Sequence, residues 1–242
     1  MFPVFRKEIN GFFSSPVAYV IMAVFLTAVG LMVWVFPDTS LLEYGYADLG
    51  VFFSLAPYVM LFLVPAITMR SIAEEVRAGT IEWLLTKPLT RWQLVVAKFL
   101  ANWLLVVLLL LPTLVYYYTI YQLGNPVGNV DSASVFGSYV GLVLLGGVFV
   151  AVGLFASSIN ENQVVAFVVG VFLCFLLYVG ISSLASLAFW GTLAYPLTWL
   201  ALDEQYQALG RGLIDSRNVL YLMSVITVFL FLTEWRMTAL TR

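Results

Sequence analysis

The residues of this chain that could do chemistry are concentrated in one interval, from Arg70 to Lys98. It carries charges of both signs between two apolar stretches and holds five of the eleven Lys and Arg residues, namely Arg70, Arg77, Lys87, Arg91 and Lys98. The chain has no His and a single Cys, Cys174. This composition excludes Ser-His and Cys-His nucleophile pairs, His-based zinc sites, imidazole ligation of haem and an internal disulfide. The chemistry that remains is charge-based recognition of a partner.

The charged interval has the signals of two short helices. Two pairs have the spacing of a capping box, in which two side chains satisfy backbone N–H groups at a helix start: Ser71 with Glu74, and Thr90 with Gln93. Between them Gly79 indicates the end of one helix, Thr80 the cap of a second, and Pro88 its end. We therefore predict a bent segment at the membrane surface over residues 70–94, here called the elbow.

Composition places the chain in a membrane. Hydrophobic residues make up 62% of the chain and charged residues 10%, with a mean hydropathy of +1.00, whereas about 25% of residues in soluble proteins are charged. Six apolar stretches are long enough to span a bilayer, at about residues 17–36, 49–69, 95–122, 135–159, 164–187 and 219–232. The sequence predicts an all-α, six-span membrane protein of one domain over residues 1–242, without a cleavable signal peptide.

The residues before the first span, 1–16, are predicted to form a helix lying on the membrane surface. Four apolar residues fall near one helical face, Phe5, Ile9, Phe12 and Phe13, and four polar residues on the other, Arg6, Lys7, Glu8 and Asn10. The alternative is a basic N-terminal tail without this arrangement.

Basic residues predict the orientation of the spans. With the N-terminus in the cytoplasm, nine of the eleven Lys and Arg residues lie on the inner side, and only Arg211 and Arg217 lie outside. This asymmetry favours an orientation with both termini and the elbow in the cytoplasm. We expect a multi-pass protein of a bacterial inner membrane.

The spans carry almost no ionisable groups. Five of them contain no Asp, Glu, Lys or Arg, and the third has only Lys98, near its inner end. Ion-coupled carriers usually place an ionisable group within the membrane, although backbone carbonyls can also bind sodium. The GxxxxGK[ST] phosphate loop is also absent. We expect no catalytic site in this chain and a separate soluble partner as its source of energy.

Prolines and glycines mark two of the spans. Pro57 and Pro65 lie near one face of the second span, where they either form a hinge or only kink the helix for packing. Glycines give the fourth span small faces that another helix can approach closely, at Gly137, Gly141, Gly146, Gly147 and Gly153. That helix belongs either to the same chain or to a second membrane subunit.

The outer segment, residues 188–218, is too apolar in its first half for an exposed loop. Pro196 and Trp199 lie in this half, which we predict to dip into the outer leaflet and close the exit of a substrate path. The second half, from Asp203 to Asn218, is polar and predicts a short surface helix that meets an extracytoplasmic partner. The alternative is a cap that only covers the bundle.

The elbow resembles the cytoplasmic loop of type-2 ABC exporter permeases through Arg70, Ala73, Glu74, Glu75, Arg77, Gly79, Thr80, the run Leu84, Leu85, Thr86 and Pro88, and Lys98. Two further stretches extend the resemblance to the gliding-motility-associated permease subunits: the turn with Ser157, Ser158, Asn160, Asn162 and Gln163, and the run from Arg211 to Asp215.

The resemblance implies that the elbow contains a coupling helix that docks into a groove on an ATPase subunit. Glu74, Glu75 and Arg77 would then select the partner, and Trp83 would be an aromatic anchor. The alternative is a solvated charged face with Trp83 at the membrane interface. The family also implies two ATPase subunits, which bind the ATP and Mg, and a second permease subunit, identical or related.

Three classes of function remain. A transporter would move a lipidic or other hydrophobic passenger, since the spans are apolar and uncharged. A force-transmitting or anchoring subunit would act on a protein with a large extracytoplasmic domain. An intramembrane enzyme is the least favoured, because the spans contain no His, no Asp pair and no metal-binding cluster.

Overall fold

A computed structural model describes residues 1–37, 39–41, 48–80, 90–186, 198–212 and 214–240, without the side chains of residues 239 and 240. The regular structure in these ranges is helical, and no strand occurs in them. The helices are α1 (Phe2–Ser14), α2 (Pro16–Trp34), α3 (Gly50–Thr68), α4 (Ala73–Arg77), α5 (Arg91–Leu110), α6 (Leu114–Leu123), α7 (Ser132–Ile159), α8 (Gln163–Phe175), α9 (Ile181–Ala185), α10 (Leu202–Leu209) and α11 (Ser216–Leu240).

Six helical stretches of the described chain are long and apolar enough to cross a membrane: Pro16–Trp34, Gly50–Arg77, Arg91–Leu123, Ser132–Ile159, Gln163–Ala185 and Ser216–Thr238. They confirm the predicted all-α, six-span architecture. The last span is longer than the predicted residues 219–232, because the helix begins in the polar residues at Ser216 and continues to Leu240. Asp215 Oδ1 accepts a hydrogen bond from the Arg217 N–H at its start, 2.9 Å away.

The fourth span, α7, is the centre of the bundle. Of the 18 most apolar consecutive residues in this span, 83% are buried, against 22% in the spans formed by α2 and α11. A Cβ added to Gly153 would overlap Thr68 Oγ1 of α3, and one added to Gly137 would overlap the Leu209 carbonyl oxygen of α10. The glycines of this span therefore allow close approach of other helices of the same chain. This favours the same chain over a second subunit as their neighbour.

The prolines of α3 pack inside the bundle. Pro57 and Pro65 are buried within an otherwise continuous helix, and the Pro65 Cβ lies 3.2 Å from the Cβ position of Gly170 on α8. A side chain at position 170 would make a tight contact with Pro65, so this proline shapes the contact between two spans. This close packing supports the packing alternative for Pro65.

The third and fifth spans contain a change of helix type. A 3₁₀ turn, Leu111–Thr113, separates α5 from α6 at Pro112, whose ring cannot continue the α-helical hydrogen bonding. A π-helical turn, Leu176–Gly180, joins α8 to α9. π-helical turns widen a helix locally and often occur at functional positions.

The N-terminal helix α1 is amphipathic, as predicted, and buries Val4 and Phe12. Phe2 is 71% exposed on its outer side, a position suited to a membrane surface. Glu8 belongs to the predicted polar face of α1. Its side chain is only 13% exposed, because it turns inward to meet a Lys of the third span.

Candidate functional site

The elbow helix α4 is one and a half turns long and ends where the sequence predicts. Gly79 has φ of +66°, a left-handed conformation that costs glycine little and other residues more. The second predicted capping box is also confirmed, because Thr90 and Gln93 cap α5 reciprocally. The helix predicted between Thr80 and Pro88 falls on residues 81–89, outside the described part of the chain.

The first predicted capping box, Ser71 with Glu74, is wrong. The Ser71 hydroxyl donates to Asn102 Oδ1 of α5 at 3.3 Å, and α4 has Ile72 at its N-cap without a side-chain cap. Glu74 is exposed. The contact of Ser71 with Asn102 has replaced the capping box that the spacing predicted.

A serine from the fourth span takes over the capping of the elbow. Ser157 Oγ accepts hydrogen bonds from the backbone N–H groups of Ile72 at 3.1 Å and Ala73 at 3.0 Å. It donates its own proton to the Met69 carbonyl at 2.9 Å. The first N–H groups of a helix have no partner within the helix, so this buried hydroxyl fastens the start of α4 to α7.

Four charged side chains meet beneath the elbow, Lys7 and Glu8 from α1, Glu75 from α4 and Lys98 from α5, and are called the charge cluster here. Lys98 Nζ lies 2.9 Å from Glu8 Oε1 and 2.9 Å from Glu75 Oε2, and it donates to the Ser71 carbonyl at 2.6 Å. Lys7 Nζ lies 2.9 Å from Glu75 Oε1. Two carboxylates and two ammonium groups thus join three helices that are far apart in sequence.

The charge cluster is balanced and mostly buried. Lys98 is 1% exposed and Glu75 11%, whereas Lys7 is 59% exposed at the edge. Glu75 Oε2 forms an ion pair with Lys98 but lies outside good hydrogen-bond geometry. Burial alone would lower the pKa of Lys7, but the hydrogen bond and charge of Glu75, with Glu8 and Glu74, outweigh burial and raise it. Removing one member of such a group leaves an uncompensated charge in a poorly solvated place.

Arg70 forms a second link between the elbow and the N-terminal region. Its guanidinium carbon lies 5.7 Å from the centre of the Phe12 ring, within cation–π range. One of its nitrogens lies 3.5 Å from Ser15 Oγ, at the junction of α1 and α2. The elbow is therefore fastened at separate points to the N-terminal region, the third span and the fourth span.

A cleft of about 390 Å³ lies between α1 and the elbow. It is lined by Lys7, Glu8, Gly11, Phe12, Arg70, Ser71, Glu74, Glu75, Ala78 and Thr80. The cleft is open and charged, and the exposed Arg77 follows on the same short helix. Such a surface suits recognition of another protein by charge and shape better than it suits catalysis.

The predicted elbow residues divide into two groups. Glu74, Arg77, Gly79 and Thr80 are exposed, with the Thr80 hydroxyl donating to the Glu75 carbonyl at 3.3 Å. Glu75 and Arg70 point inward and make the contacts given above. Trp83 lies outside the described residues. The first group is exposed on the surface of the elbow, whereas Arg70 and Glu75 line the cleft and bind neighbouring helices.

The predicted outer residues do not form one group. Trp199 is 49% exposed and contacts Tyr221 edge-on, 5.5 Å between ring centres, whereas Asp215 begins the last span. Arg211 is exposed. Pro196 lies outside the described residues, as does most of the predicted re-entrant stretch.

The second half of the outer segment contains the predicted short helix, α10, but this helix is not simply a surface element. It buries Leu202, Gln205, Tyr206 and Leu209, and the Tyr206 hydroxyl donates to the Phe53 carbonyl at 2.8 Å. α10 packs on the first turns of α7, whereas Ser157, which binds the elbow, lies in the last turn of α7. α10 therefore covers the end of the bundle opposite the elbow and its charge cluster.

Sequence reasoning missed Glu8, Asn102 and Ser157 as members of the site. Lys98 carried a usable signal, because a lone Lys within an apolar span needs a carboxylate partner. Nothing in the local sequence indicates that the partners come from α1 and α4.

Comparison with protein-family models gives a match over residues 58–238, to the family described as ABC-2 family transporter protein. Comparison with curated proteins gives no match. The matched stretch contains the elbow, α7 with Ser157, and α10; α1 lies before it.

Proposed function

The chain belongs to the ABC-2 family and is a multi-pass transmembrane subunit of an ABC transporter, and we propose that its elbow is the part through which a separate ATPase drives it. The observation that carries this proposal is the charge cluster. It joins the elbow helix to α1 and α5, while Ser157 joins the same helix to α7. A force on the exposed face of the elbow helix would reach α1, α5 and α7, because side-chain contacts join α4 to each of them.

The proposed partner surface is the cleft, which Glu74 lines, together with the exposed Arg77 on the same helix. Charges at the rim of an interface select partners and orient them, and they cost little to expose when no partner is bound. Glu75 has a different role from the one its position beside Glu74 suggests. Its carboxylate is bound by Lys7 and Lys98, and we propose that its main role is to hold the elbow helix on the bundle.

In the proposed cycle two ATPase subunits bind ATP and Mg and draw together, and a second permease subunit, identical or related, completes the complex. The elbow follows its ATPase, and the first three spans rotate against the last three as packed bodies. Coupling requires that ATP binding favours one arrangement of the spans over the other. The residues of this chain supply the connection and the spans, and the partner supplies the energy.

The proposed setting is a bacterial inner membrane with the elbow and both termini in the cytoplasm, as the distribution of Lys and Arg indicates. The passenger is proposed to be lipidic or otherwise hydrophobic. A role in gliding motility, or force transmission to an extracytoplasmic protein without net flux, is the second candidate and is favoured by the resemblance of residues 211–215.

The test is a pair of single charge reversals on α4, one of an acidic and one of a basic residue, each made in the tagged chain and purified from its native membranes. Glu74→Lys and Arg77→Glu are expected to reduce the accompanying ABC ATPase at least severalfold without lowering the amount of permease. Glu161→Lys is the matched control, because Glu161 is also exposed, in the turn between α7 and α8. Undiminished ATPase recovery and ATP-driven activity in both elbow variants would exclude the docking role.

A further inference from the structure

A second cavity opens at the end of the bundle opposite the charge cluster. Its volume is about 460 Å³, and it is called the tyrosine cavity here. It is lined by Gly50, Phe53, Ser54, Tyr58, Ser138, Tyr178, Asp203, Tyr206, Gln207, Gly210 and Arg211. These residues come from α3, α7, the π-helical turn, and α10 with the turn that follows it. Neither the elbow nor the family match assigns a role to this cavity.

Aromatic side chains form one wall and are held in place from behind. The Tyr58 and Tyr178 rings meet edge-on with 5.7 Å between their centres, and Tyr178 also contacts the buried Phe149 ring at 6.0 Å. The Tyr206 hydroxyl is bound to the Phe53 carbonyl. Tyr178 belongs to the π-helical turn, so this irregular part of the span contributes an aromatic ring to the cavity wall. The wall is preformed.

Two opposite charges line the same cavity from α10 and its end. Asp203 lies in the first turn of α10, where its Oδ1 accepts a hydrogen bond from Gln207 Nε2 at 2.9 Å. Arg211 follows the C-terminal end of the helix. In the described part of the chain neither is paired with an oppositely charged side chain. Asp203 can therefore bind a cation and Arg211 an anion of the same ligand.

We propose that the tyrosine cavity binds the zwitterionic headgroup of a phospholipid. The ammonium group is placed against Asp203 and the tyrosine rings. The Asp203 carboxylate attracts it by charge, and the tyrosine rings attract it by their π faces. The phosphate is placed at Arg211, whose guanidinium matches phosphate oxygens in geometry and charge. Tyr58, at 48% exposed, lies at the boundary of the cavity with the outer surface of the spans, so a lipid reaches the site sideways from the bilayer.

The same chemistry would recognise free phosphoethanolamine, and the apolar surroundings of the opening favour the lipid. Phe175, which precedes the π-helical turn, and Leu176, which begins it, are 49% and 38% exposed and offer apolar surface for acyl chains. Assignment to the outer leaflet rests on the orientation in the proposed function. The binding site itself does not, since it requires neither an ATPase nor ATP.

Native mass spectrometry of the purified full chain in detergent, with added palmitoyl-oleoyl phosphatidylethanolamine or phosphatidylglycerol, tests the proposal. Asp203→Asn removes the cation site and is expected to weaken phosphatidylethanolamine binding about tenfold, the loss expected of one charge-assisted contact. The variant should leave phosphatidylglycerol, which has no ammonium group, unchanged. Arg211→Gln should weaken both lipids. Glu204→Gln and Arg217→Gln make the same charge changes outside the cavity and should bind like the unaltered chain.

Two results would overturn the proposal. One is equal binding of both lipids by the unaltered chain with no effect of Asp203→Asn or Arg211→Gln. The other is displacement of the lipid by soluble glycerophosphoethanolamine at the same concentration, which would assign the site to a soluble ligand. Glu74→Lys should leave lipid binding unchanged, so failure here and failure of the elbow proposal are separate results.

Discussion

Lys98 Nζ lies 2.9 Å from Glu75 Oε2, and this contact joins the third span to the elbow helix in a place where the Lys side chain is 1% exposed. Glu8 of the N-terminal helix approaches the same ammonium group to 2.9 Å. An ammonium group taken out of water is stable here because two carboxylates and the Ser71 carbonyl surround it. The position of the elbow on the bundle thus depends on a few strong contacts.

The charge cluster predicts an asymmetric response to mutation. Lys98→Met should lower the free energy of unfolding by about 3–5 kcal/mol, because it leaves two carboxylates without their buried partner. Adding Glu75→Gln and Glu8→Gln should restore a large part of that loss, since the uncompensated charges are gone. Thermal unfolding of the purified variants in one detergent measures both. If the triple variant is less stable than Lys98→Met alone, the charges do not act as one group.

Ser157 and Ser158 provide a matched pair of variants. Ser157→Ala removes the acceptor of two buried N–H groups of the elbow and should destabilise the chain by about 1–3 kcal/mol. Ser158→Ala removes only a hydrogen bond to the Phe155 carbonyl of its own helix and should have a smaller effect. Protection of the Ile72 and Ala73 amides from hydrogen exchange measures the local effect. Equal loss of protection in both variants would show that Ser157 does not cap α4.

Gly153 predicts a steric effect at the contact of α3 with α7. Gly153→Ala places a methyl group against the Thr68 side chain and should cost about 1–3 kcal/mol of stability. Adding Thr68→Ala removes the Thr68 hydroxyl and outer methyl group and should recover part of this loss. Gly11→Ala is the control, because no atom lies within 4 Å of a Cβ at that position. Unfolding temperatures compare the variants, and an unaffected Gly153→Ala would contradict the close approach.

Much of the fold could be predicted from sequence because burial in a membrane is determined by composition over long stretches. Six apolar runs and the glycine that ends α4 are local properties; the structure has a helix at each of the six runs, although the last one is longer than predicted. The Thr90 and Gln93 cap is equally local, since both partners lie within one turn. The family match agrees with the resemblance that the elbow residues carried.

The sequence alone determined which residues are charged near the membrane and how many helices cross it, because hydropathy and helix signals act over neighbouring residues. Only the tertiary structure decided that Glu8 and Glu75 turn inward to Lys98 while Glu74 stays exposed. It also decided that Ser157 displaced the local cap at Ser71, and that α10 packs against the glycines of α7. These outcomes depend on which helices become neighbours. A buried ammonium or an orphan N–H group then takes whichever partner the packing brings within reach.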